Sequence, residues 1–155
     1  MHAPDPGFEQ RTLDSFARQP AMRTLGARLE RVEPGFVRLA MAHRAELTQQ
    51  HGFLHAGVVA TGLDSACGYA AFTLMPAGAG VLTIEFKINL LAPARGPLLH
   101  LEGRVVKAGR TISVVDGQAW QFENATDAAP AGERKLVATM TATLMTVLGR
   151  DDVRA

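Results

Sequence analysis

The sequence predicts an α+β domain in which an antiparallel sheet of about six strands wraps around one long central helix. Three observations carry this expectation. From Ala56 to Leu74 the chain is apolar or small on nearly every side, so a helix there must be enclosed by other protein. Strand-like runs flank it on both sides, and their short connections favour antiparallel pairing. With 155 residues, 47% hydrophobic and 20% charged, the chain suits one globular domain with a substantial core.

Residues 1–7 hold two prolines and a glycine and read as a flexible arm, after which a single domain spans 8–148 and a charged tail spans 149–155. Over Phe8 to Arg18, Phe8, Leu13, Phe16 and Ala17 share one side of a short helix that Pro20 ends. Leu25 to Val32 and Phe36 to Ala42 form a hairpin about Glu33-Pro34-Gly35. The loop from His43 to Leu54 delivers the central helix, which stops at Met75-Pro76. In Val81 to Ala92, Leu82, Ile84, Phe86, Ile88 and Leu90 alternate with Thr83, Glu85, Lys87 and Asn89, which puts Thr83 on the polar side. Strands over Leu98–Lys107 and Thr111–Phe122 follow, then a polar loop from Glu123 to Gly132 and a last strand from Glu133 to Leu148. His43 and His100 read as solvent-facing.

Several function classes fall away. Sixteen basic against fifteen acidic residues, a net charge of +1, leave no basic footprint for nucleic acid. The single cysteine, Cys67, excludes an internal disulfide and sits where packing explains it. The start lacks the basic and apolar regions of a signal peptide, so a cytoplasmic protein is expected. The run from Gly52 to Val81 holds His55, Asp64 and Pro76, which favours a buried helix over a membrane span.

Asp64 interrupts the apolar helix. A carboxylate there loses hydration, which disfavours its charged form, so it needs either a structural hydrogen bond or a chemical task. The loop before the helix favours the task, because it brings Gln49 and His55 beside backbone N–H groups that lack helical partners and can bind an oxyanion. Yet Asp64 lies about 12 Å along the axis from Ala56, too far to share one carbonyl. An antiparallel second copy closes that gap, so a two-fold dimer with two composite sites is expected. No metal is expected, since His51 and His55, though four apart, have no Glu between them as in the zinc-protease arrangement and only Asp64 offers a third ligand. Phe53, Leu54, Tyr69 and Phe72 are candidate pocket walls and equally good core.

Taken together, Gln49, His55-Ala56-Gly57, Asp64, Pro93-Ala94 and Gly109-Arg110-Thr111 resemble the hotdog-fold acyl-CoA thioesterases of the phenylacetic-acid-degradation (PaaI-like) type. The likeness spans roughly Leu25 to Leu148. It implies a hotdog fold and hydrolysis of acyl-CoA to a carboxylic acid and free CoA, with no cofactor beyond the coenzyme A of the substrate. It further implies Asp64 as nucleophile or general base, Gln49 orienting the carbonyl or water, the Ala56 N–H as oxyanion donor, and Thr83 near the water or acyl group. A CoA groove is implied around Gly57, Leu90, Pro93, Ala94 and Arg95, and around Lys107, Gly109, Arg110 and Thr111. The implied assembly is a homodimer, often paired again as a homotetramer, with no nucleic-acid or membrane partner. The family's usual glycine is Ala56 here, which costs little where φ is helical. The rival reading is a non-catalytic acyl-CoA or fatty-acyl binding module on the same scaffold.

Overall fold

A computed structural model describes residues 1–126 and 129–153. Two short helices, α1 (Phe8–Ala17) and α2 (Pro20–Leu25), precede the hairpin of β1 (Ala27–Glu33) and β2 (Phe36–Ala42). A loop containing one 3-10 turn leads to α3 (Ala56–Phe72), followed by β3 (Gly80–Leu90), β4 (Leu98–Ala108), β5 (Ile112–Thr126) and β6 (Ala129–Val147). The strands form one antiparallel sheet in the order β1-β2-β4-β5-β6-β3. The expected helix wrapped by an antiparallel sheet is therefore present.

The sheet closes on α3 through residues that leave room for it. A Cβ on Gly103 of β4 would run into the Ala66 carbonyl, and one on Gly117 of β5 would lie 2.9 Å from Cys67 Sγ. Leu63, Ala66, Cys67 and Ala70 of α3 are buried against Leu39, Leu101, Val115, Met140 and Leu144 from the strands. Burial pushes the Cys67 thiol far up its range, with Asp64 and Asp116 adding to the effect, so it packs as a small apolar group.

The chain departs from its sequence reading in several places. Pro20 does not merely end a helix: it opens α2 at the first position, where its missing N–H costs nothing, and Leu25 closes that helix before left-handed Gly26. The segment expected as a polar loop from Glu123 to Gly132 instead extends the β5–β6 ladder to Thr126 and Ala129, and its residues 127–128 lie outside the described residues. His100 is buried on the outer face of the sheet, edge-on to Phe122 at 4.7 Å, with Nε2 3.1 Å from Glu30 Oε2 at an angle too poor for a hydrogen bond. Burial lowers the His100 pKa, with Glu30 opposing. Finally, α3 is not enclosed throughout, because Ala56, Gly57 and Thr61 are exposed and Asp64 is half-buried.

Both termini reach the domain. Asp5 pairs with Arg11 at 2.8 Å, and Arg11 Nη2 donates to the Met75 and Phe72 carbonyls at 2.9 and 3.3 Å while stacking over the Phe72 ring. This ties α1 to the C-terminal end of α3, where free carbonyls favour a cation. In the tail, a 3-10 turn over Asp151–Val153 lays Val153 against Gly80; residues 154–155 lie outside the described residues.

Candidate functional site

The start of α3 is organised by His55. Its backbone is extended (φ −61°, ψ 139°), and its Nδ1 accepts the Gly57 N–H at 2.9 Å, capping the helix. The Val58 and Val59 N–H groups both reach the His55 carbonyl. Among the described residues the Ala56 N–H has no hydrogen-bond partner, so it is the first free donor of the helix. Ala56 has no positive φ, and its methyl group is unstrained.

Gln49 is placed beside it by a tight turn. Gly52 N donates to the Gln49 carbonyl at 3.0 Å, and Gln49 N donates to the Phe53 carbonyl at 2.9 Å. The His51 N–H donates to Gln49 Oε1, so the side-chain amide nitrogen is left to donate elsewhere. Gln49, His55 and Ala56 line a cavity of about 520 Å³ together with Leu90, Pro93 and Ala94. Gly57 lies next to it, its N–H already taken by His55.

Asp64 opens into a second cavity, of about 420 Å³, and accepts a 2.7 Å hydrogen bond from Thr83 Oγ1. Strict alternation along β3 put Thr83 on the polar side with Glu85, and the structure corrects this. The register against β6 slips between Thr83 and Glu85: Thr83 pairs with Leu144 and Phe86 with Ala142, both on the helix side of the sheet. Ile84 is the extra residue of a β-bulge, and the half-step it adds turns the Thr83 hydroxyl inward onto Asp64. Ser15, Gln19, Ser65 and Tyr69 also line this cavity. Ser15 and Gln19 carried no signal in the sequence, because only the docking of α1 by Arg11 brings them there.

The two half-sites do not meet within one chain. Eight residues of α3 separate Ala56 from Asp64, about 12 Å of rise. The expected CoA-contacting residues divide in the same manner. Leu90 pairs with Ala138, whereas the turn bearing Lys107, Gly109, Arg110 and Thr111 ends where Ile112 pairs with Met145, about 23 Å further along β6. Arg95 belongs to a third cavity, with Arg134 and Lys135, and its N–H donates to Gln121 Oε1 at 2.9 Å. Among the described residues no group of three or more His, Cys, Asp or Glu could hold a metal, and no helix is long and apolar enough to cross a membrane.

Comparison with known proteins bears on this geometry. The thioesterase superfamily profile matches residues 51–128, from the loop before α3 into the β5–β6 hairpin. A thioesterase family protein from Silicibacter pomeroyi is 54% identical, with a TM-score of 0.86 over 92% of this chain and 100% of that one. The E. coli PaaI protein of the phenylacetic acid degradation operon is 18% identical, and its TM-score of 0.78 over 90% of this chain and 93% of that one shows the shared fold. An archaeal protein from Saccharolobus solfataricus, named for an esterase, is 38% identical over 96 residues. That match spans 62% of this chain and 63% of the archaeal protein.

Proposed function

The chain belongs to the thioesterase superfamily, and we propose that it hydrolyses acyl-CoA thioesters at two sites, each assembled from two copies of the chain. The observation that carries this reading is the matched pair of half-sites. One presents a free helix-start N–H and the Gln49 amide, and the other presents a carboxylate oriented by Thr83. Neither is a complete hydrolase.

The sheet supplies the means to join them. β3 is an edge strand with one side unpaired, and Leu82, Ile84, Phe86 and Leu90 along it are 41–53% exposed. An apolar edge of this length is a liability unless covered. Antiparallel pairing of two β3 edges about their midpoint lays the Gly80 end of one strand beside the Leu90 end of the other. That operation carries Asp64 and Thr83 of one protomer towards Gln49 and Ala56 of its partner. It also reunites the Lys107–Thr111 turn with the Leu90–Ala94 segment, giving a continuous path for the CoA portion.

In the composite site the thioester oxygen rests on the Ala56 N–H, with the Gln49 amide donating to the carbonyl or the water. Asp64 then either attacks the carbonyl carbon, expelling the CoA thiolate and leaving an anhydride that water cleaves, or takes a proton from water as hydroxide adds. Either route yields a carboxylate and free CoA. A thiolate leaves without strong acid assistance, since a thiol pKa lies around 8.5, which suits a site with a single carboxylate. The hydrogen bond from Thr83 holds the reactive oxygen in place.

Purified protein should release free thiol from a panel of aromatic, short and long acyl-CoAs. Asp64→Ala should abolish release while keeping the circular dichroism spectrum. Full activity in the folded variant removes Asp64 from the mechanism, and binding of acyl-CoA without thiol release by the wild type supports a carrier module instead.

A further inference from the structure

One polar side chain lies where the sheet is otherwise apolar. Along the helix-facing side of β5 run Val115, Gly117 and Ala119, and the next inward position, paired with fully buried Leu99, is Gln121. Gln121 is 8% exposed, and a buried amide persists only where protein groups replace its water. All of its partners belong to one loop, residues 93–96, between β3 and β4. Its Oε1 accepts the Arg95 and Gly96 N–H groups at 2.9 and 2.8 Å, and its Nε2 donates to the Pro93 carbonyl at 3.3 Å. The loop is shaped to receive it, since a Cβ on Gly96 would lie 3.1 Å from Gln121 Cβ and 2.5 Å from the Phe122 carbonyl oxygen. Gln121 therefore grips the chain on both sides of Ala94.

Ala94 passes this grip on to the start of α3. Its carbonyl accepts the Leu54 N–H at 2.8 Å, and Leu54 precedes His55, whose Nδ1 caps the helix. Pro93 and Ala94 also wall the cavity that Gln49, His55 and Ala56 share. A second tie runs beside the first: the His43 N–H donates to the Pro97 carbonyl at 3.0 Å, and His43 Nε2 lies 3.0 Å from the Gly52 carbonyl, in the turn that carries Gln49. We propose that Gln121 is a positioning residue which sets, through Ala94 and Leu54, where the Ala56 N–H and the Gln49 amide stand relative to the thioester. A leucine of similar size would suit the core at this position, but it would leave two N–H groups and a carbonyl without partners. The loop, in which Pro93, Arg95 and Pro97 are already exposed, would then move outward to water and carry Ala94 away from Leu54.

This inference rests on the Ala56 half-site taking part in hydrolysis, and its test separates the two. Gln121→Leu should lower kcat for acyl-CoA about 100-fold, the effect of displacing reacting groups by about 1 Å. KM should stay close to its wild-type value, because an oxyanion donor acts in the transition state. Gln121→Glu restores an acceptor for both N–H groups and should recover most of the loss. In amide NMR spectra, Gln121→Leu should move the Leu54, His55 and Ala56 signals and leave that of Thr83, in the other half-site, in place. Should Gln121→Leu fail to fold, Gly96→Ala presses on the same joint from the loop and should give the same kinetic and spectral pattern. A folded variant with wild-type kcat, a loss confined to KM, or an unmoved Ala56 signal overturns the positioning role and leaves the hydrolase standing. Moved amide signals in a protein whose wild type releases no thiol sustain the tie from Gln121 to Ala56 and overturn the hydrolase. Neither moved signals nor thiol release overturns both.

Discussion

Replacing Ala56 by proline separates the chemical role of its backbone from the stability of the fold. The N–H of Ala56 has no partner among the described residues, so deleting it breaks no intramolecular hydrogen bond. Proline is well tolerated at the first position of a helix, and the residue before it must be extended, as His55 already is at ψ 139°. The His55 carbonyl keeps its bonds from Val58 and Val59, so the cap survives. Thermal unfolding should therefore shift by no more than about 4 °C, the equivalent of roughly 1 kcal/mol in a domain of this size. Catalysis should suffer far more, because loss of one oxyanion donor costs about 3–4 kcal/mol, or about 100- to 1,000-fold in kcat. Thiol release at saturating acyl-CoA measures this, with Ala56→Gly, which keeps the N–H, as the companion. A folded Ala56→Pro protein with more than a third of wild-type kcat refutes the assignment of the oxyanion site.

Three further outcomes follow from the same geometry. Thr83→Val keeps the side-chain shape and removes the 2.7 Å bond to Asp64; because Thr83 is exposed, the lower end of the range for bonds to charged groups applies, and kcat/KM should fall about tenfold and recover in Thr83→Ser. Gly103→Ala forces a methyl group into the Ala66 carbonyl and should lower urea stability by about 2–3 kcal/mol, whereas Gly68→Ala, with open space at its Cβ, should be close to neutral. His100 is held below its ordinary pKa by burial, so between pH 7 and pH 5 the unfolded chain binds a proton there before the folded one does. Stability should therefore fall as the pH drops through about 6.5, and His100→Gln should flatten that slope in urea titrations.

What the sequence disclosed was local or came from composition. The bounds of β2 follow from Pro34-Gly35 on one side and the polar loop from His43 on the other, and the structure places them at Phe36 and Ala42. The central helix was visible because so few of its side chains prefer water. Thr83 was placed on the wrong side because a bulge is a property of two strands: the half-step at Ile84 exists only against Leu144 and Thr143 of β6. His100 was misread for a similar reason, since Phe122 and Glu30, which cover it, come from β5 and β1. Polar composition at 123–132 suggested a loop, but the ladder from Phe122 and Arg134 carries onward to Thr126 and Ala129. Gln49, His55 and Asp64 were legible as candidates because each is a residue type the local context does not otherwise require.

Hydrolysis as proposed requires each site to be shared between protomers, and subunit complementation tests that requirement directly. Asp64→Ala and Ala56→Pro chains, each inactive as a homodimer, are mixed in equal amounts under conditions that exchange subunits. Random pairing makes about half the dimers mixed, and each mixed dimer regains one intact site of two, so thiol release should return to about a quarter of the wild-type rate. A mixture that stays as inactive as its separate components, despite demonstrated exchange, contradicts the composite site.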